Sequence, residues 1–266
     1  MSIGEFFGFG GYKREIEGYL SWQHLVFVSV LASIMIFLAF FLGNKYKNKD
    51  IKKKNKVLIV SAIIIDSVEI FKIIIMSVRA NDPFFFRLSL PLFMCSVQLL
   101  TIPLAAFSKG RIKEASLDFV MIFGIVGSIL GTYGSSSYGF YPVISLDNVV
   151  SGITHCVAGF SSIYIMVSGM YSMKKSNIAI NFCVLGCFCT LAYIANLLTG
   201  GNYMFLMHGG KTLYNILFEL LGGHPVFYPL GVVGLFVVYI IGFYIVFYKV
   251  KKRESKKHVE KSLSCV

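Results

Sequence analysis

The stretch LSLPLFMCSVQLL, residues 88–100, is apolar enough to lie in a membrane, yet it contains Pro91, Cys95 and Gln98. It belongs to a longer window, 88–107, of the length that a helix needs to cross about 30 Å of hydrocarbon. Polar groups at that depth normally face the interior of a helix bundle or a cavity. The stretch therefore predicts a membrane helix with a polar inner face.

Windows of the same kind recur along the whole chain. Of its 266 residues, 56% are hydrophobic and only 14% are charged, and the mean hydropathy is +0.73. These values exclude an ordinary soluble domain. We predict an all-α, polytopic membrane helix bundle of about seven transmembrane helices. The predicted spans are 23–43, 57–79, 88–107, 117–135, 146–170, 177–199 and 226–248.

Basic residues predict the orientation of this bundle. The net charge is +12, but Lys and Arg collect in alternate connections between the windows, which is the pattern of cytoplasmic loops and not of a nucleic-acid-binding surface. We therefore expect the N-terminus outside, the C-terminus in the cytoplasm and no nucleic-acid partner. The basic segments are 44–56, 108–116, 171–176 and the tail from residue 249.

The same pattern divides the chain into three parts. We predict an extracytoplasmic N-terminal segment, 1–22, a seven-helix transmembrane domain, 23–248, and a basic cytoplasmic tail, 249–266. The first part is too polar for a cleavable signal peptide. The six cysteines have no metal-ligand spacing, and three of them share one apolar span, so neither a metal nor another cofactor is expected.

The second window contains three ionisable residues in the run IIIDSVEIFKIII. Asp66, Glu69 and Lys72 follow one another at i, i+3, hence roughly on one helix face. Lys72 can neutralise one of the two acids. The other carboxylate could then orient a catalytic base, or the group could simply tie this helix to its neighbours.

The third window places Cys95 and Gln98 one turn apart. Pro91, one turn earlier, is expected to kink the helix and open space beside the thiol. The alternative is that Pro91 lies in the first helical turn and that Cys95 only packs.

The fifth window presents Asp147, Ser151 and His155 as a stripe at i, i+4 spacing. The predicted orientation places four residues at one depth, roughly 10 to 15 Å below the outer surface. They are His155, Cys95, Glu69 and Lys72. His155 could also be an ordinary interhelical hydrogen-bonding residue.

The last outer connection, 200–225, contains apolar residues at helical spacing, which predicts a short amphipathic helix at the membrane interface. Asn202 and Tyr203 precede it and are candidates for the mouth of a site. A lid or an interfacial anchor without chemistry is the alternative for this loop.

A thiol, an imidazole and a carboxylate at one depth are the parts of an activated nucleophile. They would permit acyl transfer through a thioester, with membrane phospholipids as partners, but they could equally bind a headgroup or relay protons. The predicted catalytic residues are Cys95, His155, Glu69 and Asp66. The predicted substrate-binding residues are Lys72, Gln98, Ser151, Asn202 and Tyr203.

Several motifs together resemble a known family. LPLFMC in the third window, GITHCVAG in the fifth, and GGNYMFLM followed by LLGGHPVFYP before the last window are similar to the YwaF family of bacterial integral membrane proteins. That family is related to the eukaryotic transmembrane acyltransferases that make ether phospholipids. The resemblance implies a bundle of six or seven spans in the bacterial cytoplasmic membrane. For the eukaryotic branch it implies acyl transfer between phospholipids, with a Cys and a His that would correspond to Cys95 and His155.

Overall fold

The computed structural model describes residues 2–210 and 212–263. In these ranges all the regular secondary structure is helical, with nine α-helices, three short 3-10 turns and no strand. The α-helices are α1 (Ile3–Phe6), α2 (Trp22–Tyr46), α3 (Ile51–Ala80), α4 (Gln98–Phe107), α5 (Gly110–Thr132), α6 (Leu146–Ser168), α7 (Lys175–Thr199), α8 (Tyr214–Leu220) and α9 (Phe227–Leu263). The 3-10 turns are Phe85–Leu88, Ser136–Gly139 and Tyr203–Phe205.

Five helical segments in the described ranges are long and apolar enough to cross a membrane. They agree with five of the predicted windows and make the protein a multi-pass membrane protein. The window 57–79 lies within α3, a 30-residue helix whose charged residues set it apart from the five. The five segments are Trp22–Tyr46, Gly110–Gly139, Leu146–Ser168, Lys175–Thr199 and Phe227–Arg253.

The window 88–107 is not one helix, and this part of the prediction is wrong. An α-helix is present only from Gln98 to Phe107, and residues 89–97 form bends and turns. Pro91 therefore precedes the helix and does not kink it. Proline offers no N–H and disfavours helical backbone at the residue before it, here Leu90, so a helix is not expected to run through Leu90 and Pro91.

Close contact between α5 and α6 forms the densest part of the fold. Gly124 of α5 lies so near Ala158 that an added Cβ would be 2.6 Å from the Ala158 carbonyl oxygen. The Ser162 hydroxyl donates to the Met121 carbonyl oxygen at 2.7 Å. Small residues allow membrane helices to approach in this way. α2 packs along α6, while α3 and α4 pack against each other and against this pair.

The chain divides into two units, one ending at Met204 and the other beginning at Phe205. The second unit contains α8 and α9. Its short helix α8 agrees with the predicted amphipathic segment, since Ile216 and Leu220 are strongly exposed while the Phe218 ring packs 4.9 Å from that of Tyr228. Lys211 and residues 264–266, the end of the predicted basic tail, lie outside the described residues.

Candidate functional site

A polar cavity of about 460 Å³ lies within the first unit. α3, the irregular segment before α4, the connection between α5 and α6, and α6 itself supply its walls. Irregular backbone at membrane depth is tolerated where it lines such a space. The polar side chains of the lining belong to Glu69, Lys72, Cys95, Ser96, Ser135, Ser137, Tyr141, Asp147, Ser151, Thr154 and His155.

His155 reaches this cavity from α6, together with Ser151 one turn earlier and Asp147 two turns earlier. The stripe predicted from the i, i+4 spacing therefore faces one space, about 12 Å long from Asp147 to His155. The His155 ring lies directly against Gly131 of α5, where any Cβ would overlap it. Within the described part of the chain neither ring nitrogen has a hydrogen-bond partner.

Cys95 reaches the cavity from the irregular segment, in the turn just before α4. An added Cβ on Gly127 would lie 3.6 Å from the Cys95 Cα atom. Gly127 and Gly131 are four residues apart, so Cys95 and His155 rest against the same face of α5, about 6 Å apart along its axis. The polar neighbour of the Cys95 sulfur is the Ser96 hydroxyl, at 4.0 Å.

Glu69 and Lys72 form an ion pair in the cavity wall, with 2.5 Å between Oε1 and Nζ. Their side chains are only 15% and 16% exposed. Both residues share the lining of the cavity with His155 and Cys95. The cavity therefore brings a thiol, an imidazole, a carboxylate and an ammonium group into one lining, which the common depth alone did not predict.

Asp66 does not belong to this group, and its assignment beside His155 is wrong. It lines a separate groove with residues of α4 and α7. Successive i, i+3 positions turn by about 60° around a helix, so Asp66 is roughly 120° from Lys72 and faces a different neighbour. The unpaired carboxylate that the sequence predicted is thus Asp66, but it lies on another face of α3.

Gln98 also lies off the cavity. Its side chain is fully buried, and its Oε1 accepts a hydrogen bond from the Thr101 hydroxyl at 3.0 Å, within the first turn of α4. Its Nε2 has no hydrogen-bond partner in the described ranges. Gln98, predicted as a substrate-binding residue, therefore does not line the cavity, because its side-chain oxygen is directed toward the first turn of α4.

Asn202 and Tyr203 are not at a cavity mouth. Asn202 is half-buried outside the lining, and Tyr203 is buried behind it. The Tyr203 hydroxyl donates to the Arg87 carbonyl oxygen at 3.0 Å and accepts from the Leu90 N–H at 3.4 Å. Its ring centroid is 5.2 Å from that of Phe93, a cavity residue. Tyr203 thus supports the segment that carries Cys95.

Asn196 of α7 holds Tyr203 by its backbone. The Tyr203 N–H donates to the Asn196 Oδ1 at 2.6 Å, and the Asn196 Nδ2 donates to the Tyr203 carbonyl oxygen at 3.1 Å. The next residue, Met204, has φ +53°, in the left-handed region. The NYMF motif therefore forms a tight turn, which the Asn196 side chain holds against α7.

A charged cluster at the other end of the cavity was not predicted. Arg79 binds the Asp147 carboxylate through both terminal nitrogens, at 2.7 and 2.8 Å, and the Tyr12 hydroxyl donates to the same carboxylate at 2.5 Å. Burial and this hydrogen bond raise the pKa of Tyr12 to about 12. The sequence signal was an isolated Arg at the end of α3 and an isolated Asp at the start of α6, on the same predicted side.

Fold and site together define a class, a multi-pass α-helical membrane protein with a polar cavity between its helices. More specifically, the chain belongs to the TMEM164 family, whose model matches residues 19–247. The match begins before α2 and extends into α9. This is a family of transmembrane proteins, in agreement with the kind of family that the sequence resembled. Comparisons with curated proteins and with solved structures found no match.

Proposed function

We propose that the protein is a phospholipid-dependent acyltransferase in which Cys95 is the nucleophile and His155 the general base. The observation that carries this proposal is that both residues line one cavity and rest against one glycine face of α5. Glu69 and Lys72 would set the charge around them, and Ser151 would contact substrate. A thiol and an imidazole in one polar space are suited to acyl transfer.

The reaction would proceed in two balanced steps. His155 takes the proton of the Cys95 thiol, and the thiolate attacks an ester carbonyl of a phospholipid. The carbon–oxygen bond breaks, a thioester forms, and the leaving hydroxyl group receives the proton from His155. In the second step His155 removes a proton from the hydroxyl of an acceptor lipid, whose oxygen attacks the thioester. The carbon–sulfur bond breaks, and the departing Cys95 thiolate receives from His155 the proton that His155 took from the acceptor hydroxyl.

The membrane topology of the proposal keeps seven spans, with α3 and the broken 88–107 segment as the second and third. The N-terminus would be outside, the C-terminus cytoplasmic, and the location the bacterial cytoplasmic membrane. The charge-cluster end of the cavity would then face the outer leaflet. The resemblance of LPLFMC and GGNYMFLM to the YwaF family and to the ether-phospholipid acyltransferases supports the same assignment.

The thioester tests the proposal directly. Purified protein incubated with a phospholipid labelled in its acyl chain should acquire a label that hydroxylamine removes. Cys95→Ser should abolish this label, whereas Cys156→Ser should retain it, since Cys156 is buried and does not line the cavity. A label that persists in Cys95→Ser, or its absence from the wild-type protein, contradicts the mechanism.

The alternative is a lipid-binding or transport protein that uses the same cavity without chemistry. The observation favouring it is that Ser96, not His155, is the polar neighbour of the Cys95 sulfur. Such a protein should keep its ligand affinity in Cys95→Ser but lose affinity when Glu69 or Lys72 is neutralised, which equilibrium binding measurements with each variant would distinguish.

A further inference from the structure

The N-terminal segment, residues 2–18, packs against one end of the polar cavity. It contains the short helix α1 and no other helix. Its Tyr12 hydroxyl donates to the Asp147 carboxylate at 2.5 Å, and the Tyr12 ring centroid lies 5.8 Å from that of Tyr141. Asp147 and Tyr141 both line the cavity, whereas Tyr12 does not. The segment therefore contacts the cavity wall from outside.

The same segment also contacts the end of α3. The Arg79 Nη1 donates to the Phe7 carbonyl oxygen at 3.3 Å and to the Tyr12 hydroxyl at 3.0 Å. Gly8 lies so close to Arg79 that an added Cβ would be 2.6 Å from Nη1. The Phe7 ring packs edge-on against that of Phe71, one centroid 6.1 Å from the other. The segment is thus bound to α3 by several contacts and to α6 by the Tyr12 hydroxyl.

The ion pair between Arg79 and Asp147 links α3 directly to α6 at this end of the cavity. The two side chains are only 18% and 6% exposed. Opposite charges attract more strongly where water is excluded, whereas an exposed pair contributes little. The Tyr12 ring, 5.8 Å from the Arg79 guanidinium carbon, covers the pair. By shielding the pair and adding a hydroxyl donor, the segment strengthens the link between the two helices.

Glycines allow the segment to leave this position. Gly10, Gly11 and Gly18 have φ of +75°, +85° and +94°, and nothing lies within 4 Å of the place where a Cβ would be. Glycine adopts such backbone without steric cost. Gly18 follows the last of these contacts, in which the Glu17 carboxylate accepts from the Val143 N–H at 2.9 Å. The chain can therefore turn away from the cavity at Gly18.

We propose that residues 2–18 form a clasp that closes the polar cavity at its Asp147 end, and that ligands enter there when the clasp is released. While the clasp is bound, the shielded pair holds α3 and α6 together. When Tyr12 leaves Asp147, water reaches the pair, the link weakens, and the gap between the two helices widens. The clasp acts on the cavity wall, so it does not depend on the reaction proposed above.

The Cys95 thiol, inside the cavity, reports whether the clasp is closed. Full-length protein in detergent micelles is treated with a bulky maleimide, and modification of each cysteine is followed by peptide mass spectrometry. Tyr12→Phe should raise the rate at Cys95 roughly tenfold, the effect of one hydrogen bond to a charged group. Tyr19→Phe is the matched control. Tyr19 is exposed in the same segment and its hydroxyl has no hydrogen bond among the described residues, so the rate should not change.

A second variant tests the α3 side of the clasp. Phe7→Ala removes the ring contact with Phe71 and should raise the rate at Cys95 by about threefold, as expected for the loss of an aromatic pair. Cys156 is buried outside the cavity lining, so its modification reports general unfolding. It should stay slow in both variants.

An unchanged rate at Cys95 in both variants would overturn the clasp, and so would an equal acceleration at Cys156. Neither result would affect the thioester test, which does not depend on the N-terminal segment. Conversely, a protein that forms no thioester but shows faster modification of Cys95 in Tyr12→Phe would contradict the proposed reaction and retain the clasp.

Discussion

His155 and Cys95 face one cavity, but two very different regions hold them there. His155 lies on a regular helix, and its ring fits a gap that Gly131 leaves in the neighbouring helix. Cys95 lies in an irregular segment that depends on Tyr203, more than a hundred residues later in the chain, for support. The imidazole is therefore positioned by helix packing. The thiol is positioned by the hydrogen bonds of Tyr203, in a distant turn, to Arg87 and Leu90.

This difference suggests a division of roles. The α5–α6 wall is tightly packed and has little freedom to move, because glycines and serines bring the helices together. The segment before α4 has few helical hydrogen bonds, and it can change conformation when a ligand binds. We expect the thiol, and not the imidazole, to be the adjustable partner.

The largest change in the free energy of unfolding is expected from filling the gap beside His155. Gly131→Ala should displace the ring and lower the free energy of unfolding by up to about 3 kcal/mol, the usual range for overpacking. Gly127→Ala is the matched control one turn away, because its Cβ would only reach normal contact distance from Cys95. It should be neutral, or stabilising by up to about 1 kcal/mol through helix propensity.

Reversible unfolding of both variants in mixed detergent micelles measures this difference. Equal stabilities for the two variants would mean that the His155 side is as adaptable as the Cys95 side, and the contrast between the two regions would be lost.

The second-largest loss of stability is expected from Asn196, which binds the backbone of Tyr203. Asn196→Leu leaves the buried N–H and carbonyl of Tyr203 without partners, which should cost about 2 kcal/mol. Thr190→Val on the same helix is the control, since its exposed hydroxyl bonds only within α7. Unfolding in micelles gives the stabilities, and hydrogen exchange should show faster opening of residues 89–97 in Asn196→Leu alone. Unchanged hydrogen exchange of residues 89–97 in Asn196→Leu would contradict the inference that Tyr203 supports this segment.

The same contrast explains what could be predicted from the sequence. The Asp147, Ser151 and His155 stripe follows from local helical periodicity, and the structure places all three on one cavity. The break before α4 does not, because residues 88–107 are apolar throughout and the contact that stabilises the irregular backbone comes from Tyr203. Asp66 was misplaced for a related reason, since i, i+3 spacing fixes a helix face only to within about 60°.

The smallest loss of stability is expected on removal of the Tyr203 hydroxyl. Tyr203→Phe removes its bonds to Arg87 and Leu90 and should cost about 1 kcal/mol, with faster hydrogen exchange in 89–97 and a changed rate of Cys95 alkylation. Tyr138→Phe is the control, because the Tyr138 hydroxyl is buried without a partner in the described ranges and its removal should be neutral or stabilising. If Tyr203→Phe alters stability but leaves alkylation of Cys95 unchanged, Tyr203 stabilises the fold without positioning the thiol. A change in alkylation that exceeds the change in stability would instead show that the distant turn sets the reactivity of the cavity.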